Sequence, residues 1–143
     1  MKPINILLIE DNEGDIVLTV DALKDFTIPN NVSVLRDGWE GLQYVENSGK
    51  YADKPEPDLI LLDINLPKVN GHEFLYQIKN NHSKKHIPIV VLSTSSAPSD
   101  VLNSYKNHAN CYITKPVDVD DFGRVLLSIE NFWLSVAKLP KNT

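Results

Sequence analysis

Five short apolar runs punctuate the chain, and each is followed by a stretch whose apolar residues recur at helical spacing. INILLI (4–9), VSVL (32–35), LILLDI (59–64), IVVLS (89–93) and CYIT (111–114) have the length of strands and are mostly rich in β-branched residues. At least three of them are nearly continuous in apolar residues, as strands are when both faces of a parallel sheet are covered by helices. The intervening patterns predict helices over 15–26, 39–47, 71–80, 99–107 and 118–137. Ile16, Val20 and Leu23 lay one apolar stripe on the first. Phe122, Val125, Ile129, Phe132, Trp133 and Val136 lay another on the last. Strict alternation of strand and helix with right-handed crossovers gives an α/β fold, a doubly wound five-stranded parallel sheet with five helices. Ligands of such sheets bind beyond the carboxyl ends of the strands, where the winding reverses.

Composition narrows this picture. A chain of 143 residues, 42% hydrophobic and 23% charged, suits one soluble domain over 1–143 with a core of ordinary size. The formal net charge of −5 opposes binding to DNA phosphates or anionic lipid. The one basic cluster, Lys84-Lys85-His86, reads as a solvated loop. With Cys111 as the single cysteine there is no disulfide framework and no thiol pair for zinc, which fits a reducing cytoplasm. The apolar run at the N-terminus is too short for a signal-peptide core or a membrane span.

Chemistry gathers at the strand ends. The first run closes on Glu10-Asp11, the third reaches Asp63, the fourth ends in Ser93 and the fifth is followed by Lys115-Pro116. The fold therefore brings three carboxylates, a hydroxyl and an ammonium to one edge of the sheet. Carboxylates that close repel one another unless a positive charge sits among them. Oxygen ligands without a Cys or His cluster suit Mg²⁺, with Mn²⁺ as an alternative, better than zinc. Asp63 is the natural covalent acceptor for a phosphoryl group. Lys115 would neutralise the phosphoryl oxygens and Ser93 would donate to them, while Asn65, Pro67 and Gly71 shape an open turn behind the acceptor. Singly these residues have plainer readings: Asn12 or Asp15 as a helix cap, Lys115 as a surface charge, Ser93 as a satisfied hydroxyl. Only their joint placement at four strand ends is specific. The four histidines, His72, His82, His86 and His108, are expected at the surface.

The pair Glu10-Asp11, the segment LILLDINLPKVNG, the VVLS strand and YITKP together resemble the receiver domain of response regulators, the CheY-like family with a flavodoxin-like fold. The resemblance runs from Asn5 to about Trp133. The wording of IEDNEGD, INLPKVNGHEFL and NCYITKPVDVDDF is most similar to single-domain receivers that serve phytochrome-type histidine kinases. That resemblance implies a phosphoryl group passing from a kinase phosphohistidine to Asp63, with Asp11 a direct Mg²⁺ ligand, Glu10 acting through metal-bound water and Asn65 contributing its backbone carbonyl. It implies that Lys115 pairs with the phosphoryl group, that the bond to Pro116 is cis, and that Ser93 and Tyr112 form a switch. Thr94 is bulkier than the small residue common in the family, which implies different access for the phosphodonor and a different rate of phosphate loss. Where the family often closes its fourth helix with glycine, Asn107-His108 stand here, and Asn107 is the expected left-handed cap.

A protein of this kind turns over no separate substrate and catalyses only its own phosphorylation and dephosphorylation. Only KLPKNT follows the fifth helix, so output is expected through contacts of the receiver itself. The long last helix offers Leu127, Phe132, Trp133 and Leu134 as an apolar arc for a homodimer. Two other classes stand beside this reading. A haloacid-dehalogenase-type phosphatase would need a second Asp where Asn65 stands. A pseudo-receiver would have lost site residues that this chain keeps.

Overall fold

The five expected strands form one parallel sheet in which the first strand of the chain lies between the second and the third, and the fourth and fifth follow in order. The computed structural model describes residues 2–140. In chain order the elements are β1 (Ile4–Ile9), α1 (Glu13–Lys24), β2 (Asn30–Leu35), α2 (Gly38–Val45), β3 (Leu59–Leu62), α3 (Gly71–Lys79), β4 (Ile89–Ser93), α4 (Pro98–Lys106), β5 (Cys111–Thr114) and α5 (Val119–Ile129). A 3₁₀ turn, Gly49–Tyr51, lies between α2 and β3, and a π-helical segment, Glu130–Val136, continues α5.

Alternate residues of the central strands enter two separate cores, which explains why those strands read as unbroken apolar runs. Leu7, Ile9, Ile60, Leu62, Ile89 and Val91 meet Leu42 and Val45 of α2 and Phe74, Leu75 and Ile78 of α3. On the opposite face Ile6, Leu8, Leu59, Leu61, Val90 and Leu92 meet Leu23 of α1 and Phe122, Leu126 and Ile129 of α5. The winding reverses between β1 and β3, so the carboxyl ends of those two neighbouring strands open side by side. Asn12 caps α1 by accepting from the Asp15 amide at 2.9 Å, and Asp37, Asn70 and Asp118 cap α2, α3 and α5 in the same way. No helix among the described residues is long and apolar enough to cross a membrane.

Three expectations change here. The last helix is not α-helical to residue 137. It widens at Glu130 into π geometry, whose i→i+5 bonding rotates later side chains away from a 3.6-residue stripe. Phe132 and Val136, read as core, are therefore 54% and 69% exposed, while Leu126, missed by the stripe, is buried. Glu130 itself is buried, with Oε2 accepting from the Ile28 amide at 3.0 Å and the Thr27 hydroxyl at 3.4 Å. At the end of α4 the left-handed residue is His108 (φ +68°), one place beyond Asn107.

Two histidines are also not free surface groups. His86 Nε2 lies 3.0 Å from Glu56, which pairs with Lys84 as well at 3.2 Å, so the basic cluster is partly neutralised. His72 Nε2 lies 3.1 Å from Asp100 across the α3–α4 contact.

Lys79, in the last turn of α3, holds the following loop by donating to the carbonyls of Lys85 (3.0 Å) and Ile87 (2.7 Å). Burial pushes its ammonium down from 10.5 to about 8. Between those values the unfolded chain binds the extra proton, so this group makes stability rise with pH from about 8 to 10.5, the penalty being full below 8. Urea titrations at pH 8 and pH 10 should show that increment in the wild type and lose it in Lys79→Met. An equal pH response in both proteins would refute it.

Candidate functional site

Each strand end delivers its residue to one cleft through backbone bonds that leave little choice of position. The Glu10 amide donates to Leu35 of β2 at 3.0 Å, the Asp63 amide to Ile9 of β1 at 3.0 Å, and the Lys115 amide to Ser93 of β4 at 2.7 Å. Oxygens of Glu10, Asp11 and Asp63 consequently lie within 4.8 Å of one another. Glu10 and Asp63 are buried and Asp11 faces solvent. Three hard oxygen donors at that separation fit a divalent cation of the Mg²⁺ or Mn²⁺ kind, and the exposed side of Asp11 leaves room for water and phosphate oxygens.

Two of the carboxylates are oriented by fixed donors. Glu10 Oε2 accepts from the amides of Asp11 (3.1 Å) and Asn12 (3.2 Å), and Asp63 Oδ1 accepts from the Ile64 amide at 2.8 Å. The turn after Asp63 folds tightly on itself, with Gly71 donating to Ile64 at 2.8 Å and Leu66 to the same carbonyl at 3.0 Å. Asn65 on this turn is exposed.

Lys115 reaches the cluster from beyond β5, but its ammonium does not rest on Asp63. It donates to Glu10 Oε1 and, at 3.1 Å, to Asp15 Oδ2 on the first turn of α1. Burial disfavours the charged lysine, yet the hydrogen bond and charge of Glu10, with the charge of Asp63, outweigh it and raise its pKa. Burial pushes the Glu10 carboxyl up from 4.5 to about 7, against the pull of the Lys115 hydrogen bond and with a further push from the Asp63 charge. The ammonium is thus a counter-charge to the clustered carboxylates. Asp15, weighed from sequence only as a cap, is a partner that spacing could not disclose.

Ser93 and Tyr112, the expected switch pair, are linked through the loop that follows β4. Ser93 is fully buried, and its Oγ accepts from the Ser95 amide at 3.2 Å. Tyr112 packs against the core and its hydroxyl donates to the Ser95 carbonyl at 2.7 Å. Thr94, next to Ser93, is exposed. The Lys115–Pro116 bond, expected cis, is trans, as is every peptide bond among the described residues. The trans form is intrinsically favoured by about 0.5–1 kcal/mol even before proline, and the Lys115 side chain reaches Glu10 from it.

The expected dimer surface divides. Leu127 and Phe132 are 49% and 54% exposed, whereas Trp133 and Leu134 pack against the core beneath α1 and α5. The cause is the π-helical widening, which turns Phe132 out and keeps its two successors in.

Comparison with known proteins places this geometry. Residues 6–126 match the response regulator receiver domain family. Response regulator Rcp1 from Synechocystis sp. is 44% identical over 135 residues, covering 94% of this chain and 92% of the relative. The crystal structure of the phosphorylated cyanobacterial phytochrome response regulator RcpA superposes with a TM-score of 0.95 at 46% identity, covering 98% of this chain and all of the other. The Mn²⁺-bound form of Rcp1 gives 0.93 at 44% identity, covering 97% of this chain and all of the other.

Proposed function

The chain belongs to the response regulator receiver family, and from that premise we propose that Asp63 accepts a phosphoryl group from the phosphohistidine of a phytochrome-type sensor kinase, assisted by Mg²⁺. The observation that carries this reading is the meeting of three carboxylate oxygens within 4.8 Å beside the buried ammonium of Lys115. A cation held by Glu10, Asp11 and Asp63, with the Asn65 carbonyl, would supply the positive charge that lets an anionic phosphoryl group approach an anionic acceptor. One oxygen of Asp63 attacks phosphorus in line, an O–P bond forms, the N–P bond breaks, and the kinase imidazole leaves with the electron pair. Lys115 exchanges Glu10 and Asp15 for the phosphoryl oxygens, and Ser93 donates its hydroxyl to one of them. Positioning and charge do the catalysis, so no general base is required.

Intact-mass measurement after incubation with a small phosphodonor and Mg²⁺ should show one added phosphoryl group, absent in Asp63→Asn and in EDTA. Asp11→Ala should stay folded, since Asp11 is exposed, while Mg²⁺ affinity and labelling fall together. Label persisting in Asp63→Asn would sink the acceptor assignment. Phosphotransfer from purified phytochrome-type kinases, compared with other histidine kinases, then tests the partner. The exposed pair Leu127 and Phe132 supports a contact with a second copy as the route of output. Light scattering across a dilution series, with and without phosphorylation, should show a dimer that Phe132→Glu dissociates; a monomer throughout would remove that part.

A further inference from the structure

A line of polar contacts runs from α3 to the switch without touching the carboxylate cluster. Asp100, in the first turn of α4, receives His72 Nε2 on Oδ1 at 3.1 Å and the Ser95 hydroxyl on Oδ2 at 2.5 Å. A carboxylate only accepts, so Nε2 carries the proton in this pair. Ser95 in turn meets both halves of the switch through its backbone: its amide donates to Ser93 Oγ, and its carbonyl accepts from the Tyr112 hydroxyl. The Ser95 Oγ also accepts from the Ala97 amide at 3.3 Å, closing the loop onto the start of α4.

Little else anchors this segment. Residues 94–99 have no buried side chain, and Ser104 is the one buried residue of α4. Apolar packing therefore contributes little to where Ser95 sits; beside its backbone bonds to Ser93 and Tyr112, the His72–Asp100–Ser95 contacts are what tie it to the helices. The hydrogen bonds from Ser95 and His72 also hold the Asp100 carboxyl below its ordinary range. His72 Nδ1 is buried and finds no hydrogen-bond partner among the described residues, so the ring is held in this orientation by its single bond to Asp100 and by packing.

We propose that His72 is a positioning residue for phosphoryl acceptance: through Asp100 it holds Ser95 where the Ser93 hydroxyl and the inward Tyr112 ring are already set for a phosphoryl group on Asp63. This rests on the acceptor reading given above. Its contribution is preorganisation of the β4–α4 loop, with no direct contact to the reacting atoms. Glutamine at position 72 keeps a donor at the place of Nε2, whereas leucine keeps only bulk.

The test compares wild type, His72→Leu, His72→Gln and Asp100→Asn in two measurements. In the unphosphorylated protein, the backbone amide chemical shifts of Ser93, Ser95 and Tyr112 should move in His72→Leu and Asp100→Asn and return towards wild type in His72→Gln. With a small phosphodonor and Mg²⁺, the phosphorylation rate constant should fall about three- to tenfold in His72→Leu, recover in His72→Gln, and fall no further in His72→Leu/Asp100→Asn than in the worse single variant. Unmoved amide shifts, or leucine and glutamine variants that behave alike, would overturn the positioning role even if the wild type is phosphorylated normally. A wild type that takes no phosphoryl group would instead overturn the acceptor reading and this role with it, while the shifts still report whether His72 orders the loop.

Discussion

Replacing Lys115 with methionine should destabilise the metal-free protein by about 3 kcal/mol, the cost of removing one partner from a buried ion pair. Its side chain and that of Glu10 are 3% and 2% exposed, so water cannot take over the lost role. Glu10 and Asp63 would then face each other with no interior cation, and the Glu10 carboxyl would rise further above the value of about 7 that it has with the lysine present. The sign of the pH response follows. A carboxyl whose folded pKa lies above its unfolded value of 4.5 binds its proton more tightly when folded, so stability falls as pH rises from about 4.5 to 7. That fall should extend to higher pH in Lys115→Met, and Mg²⁺ should reduce the deficit by restoring positive charge to the cluster. The rate of phosphorylation should drop about a hundredfold, as when one charge-stabilising donor is lost from a reacting site. Urea denaturation with and without Mg²⁺, together with mass-spectrometric labelling rates, measures both effects. Wild-type stability in the variant without metal would show that Lys115 is not the counter-charge of the site.

Gly71→Ala should be nearly as damaging, for a steric reason. A Cβ at Gly71 would stand 2.4 Å from the Asp63 carbonyl oxygen and 2.6 Å from Ile64 Cα. Both atoms are backbone and are pinned by the bonds from Asp63 to Ile9 and from Gly71 to Ile64, so neither can yield as a flexible side chain would. The expected cost is about 3 kcal/mol, at the upper end for overpacking in a well-filled interior. Relief by moving the turn would shift the acceptor, and a misplacement of about 1 Å lowers rates by about a hundredfold. Gly123→Ala on α5 is the control: nothing lies within 4 Å of its added Cβ, and helix propensity should give a gain of about 0.5–1 kcal/mol. Thermal melts of the two variants should diverge in opposite directions, with labelling slowed only in Gly71→Ala; a Gly71→Ala protein as stable and as readily labelled as wild type would refute the close approach.

The alternation of elements was legible because its signals are local. Unbroken apolar runs such as LILL and IVVLS say that both faces are covered, and period-2 side-chain alternation then divides each strand between two cores. The gathering of Glu10, Asp11, Asp63, Ser93 and Lys115 was legible for a related reason: each ends or follows a strand, and parallel strands point their carboxyl ends the same way. Where reading failed, the deciding contact lay far away in sequence. The 3.6-residue stripe predicted Phe132 in the core, but the helix widens where Glu130 turns inward to the Thr27 hydroxyl and the Ile28 amide, about a hundred positions earlier. The histidine pairs with Asp100 and Glu56 left no mark in spacing either, because each joins two separate surface elements.

What the sequence by itself determined, then, is the fold, the edge of the sheet at which chemistry occurs and the set of residues brought there, since strand length, periodicity and crossover handedness follow from local sterics. Only the tertiary structure decided how those residues are wired. It placed the Lys115 ammonium on Glu10 and Asp15, tied Ser93 and Tyr112 together through Ser95, and left the bond before Pro116 trans. The physical reason is that partner choice among buried charges and hydroxyls turns on distances of a few tenths of an ångström between elements, which packing of the whole core sets and no local pattern encodes.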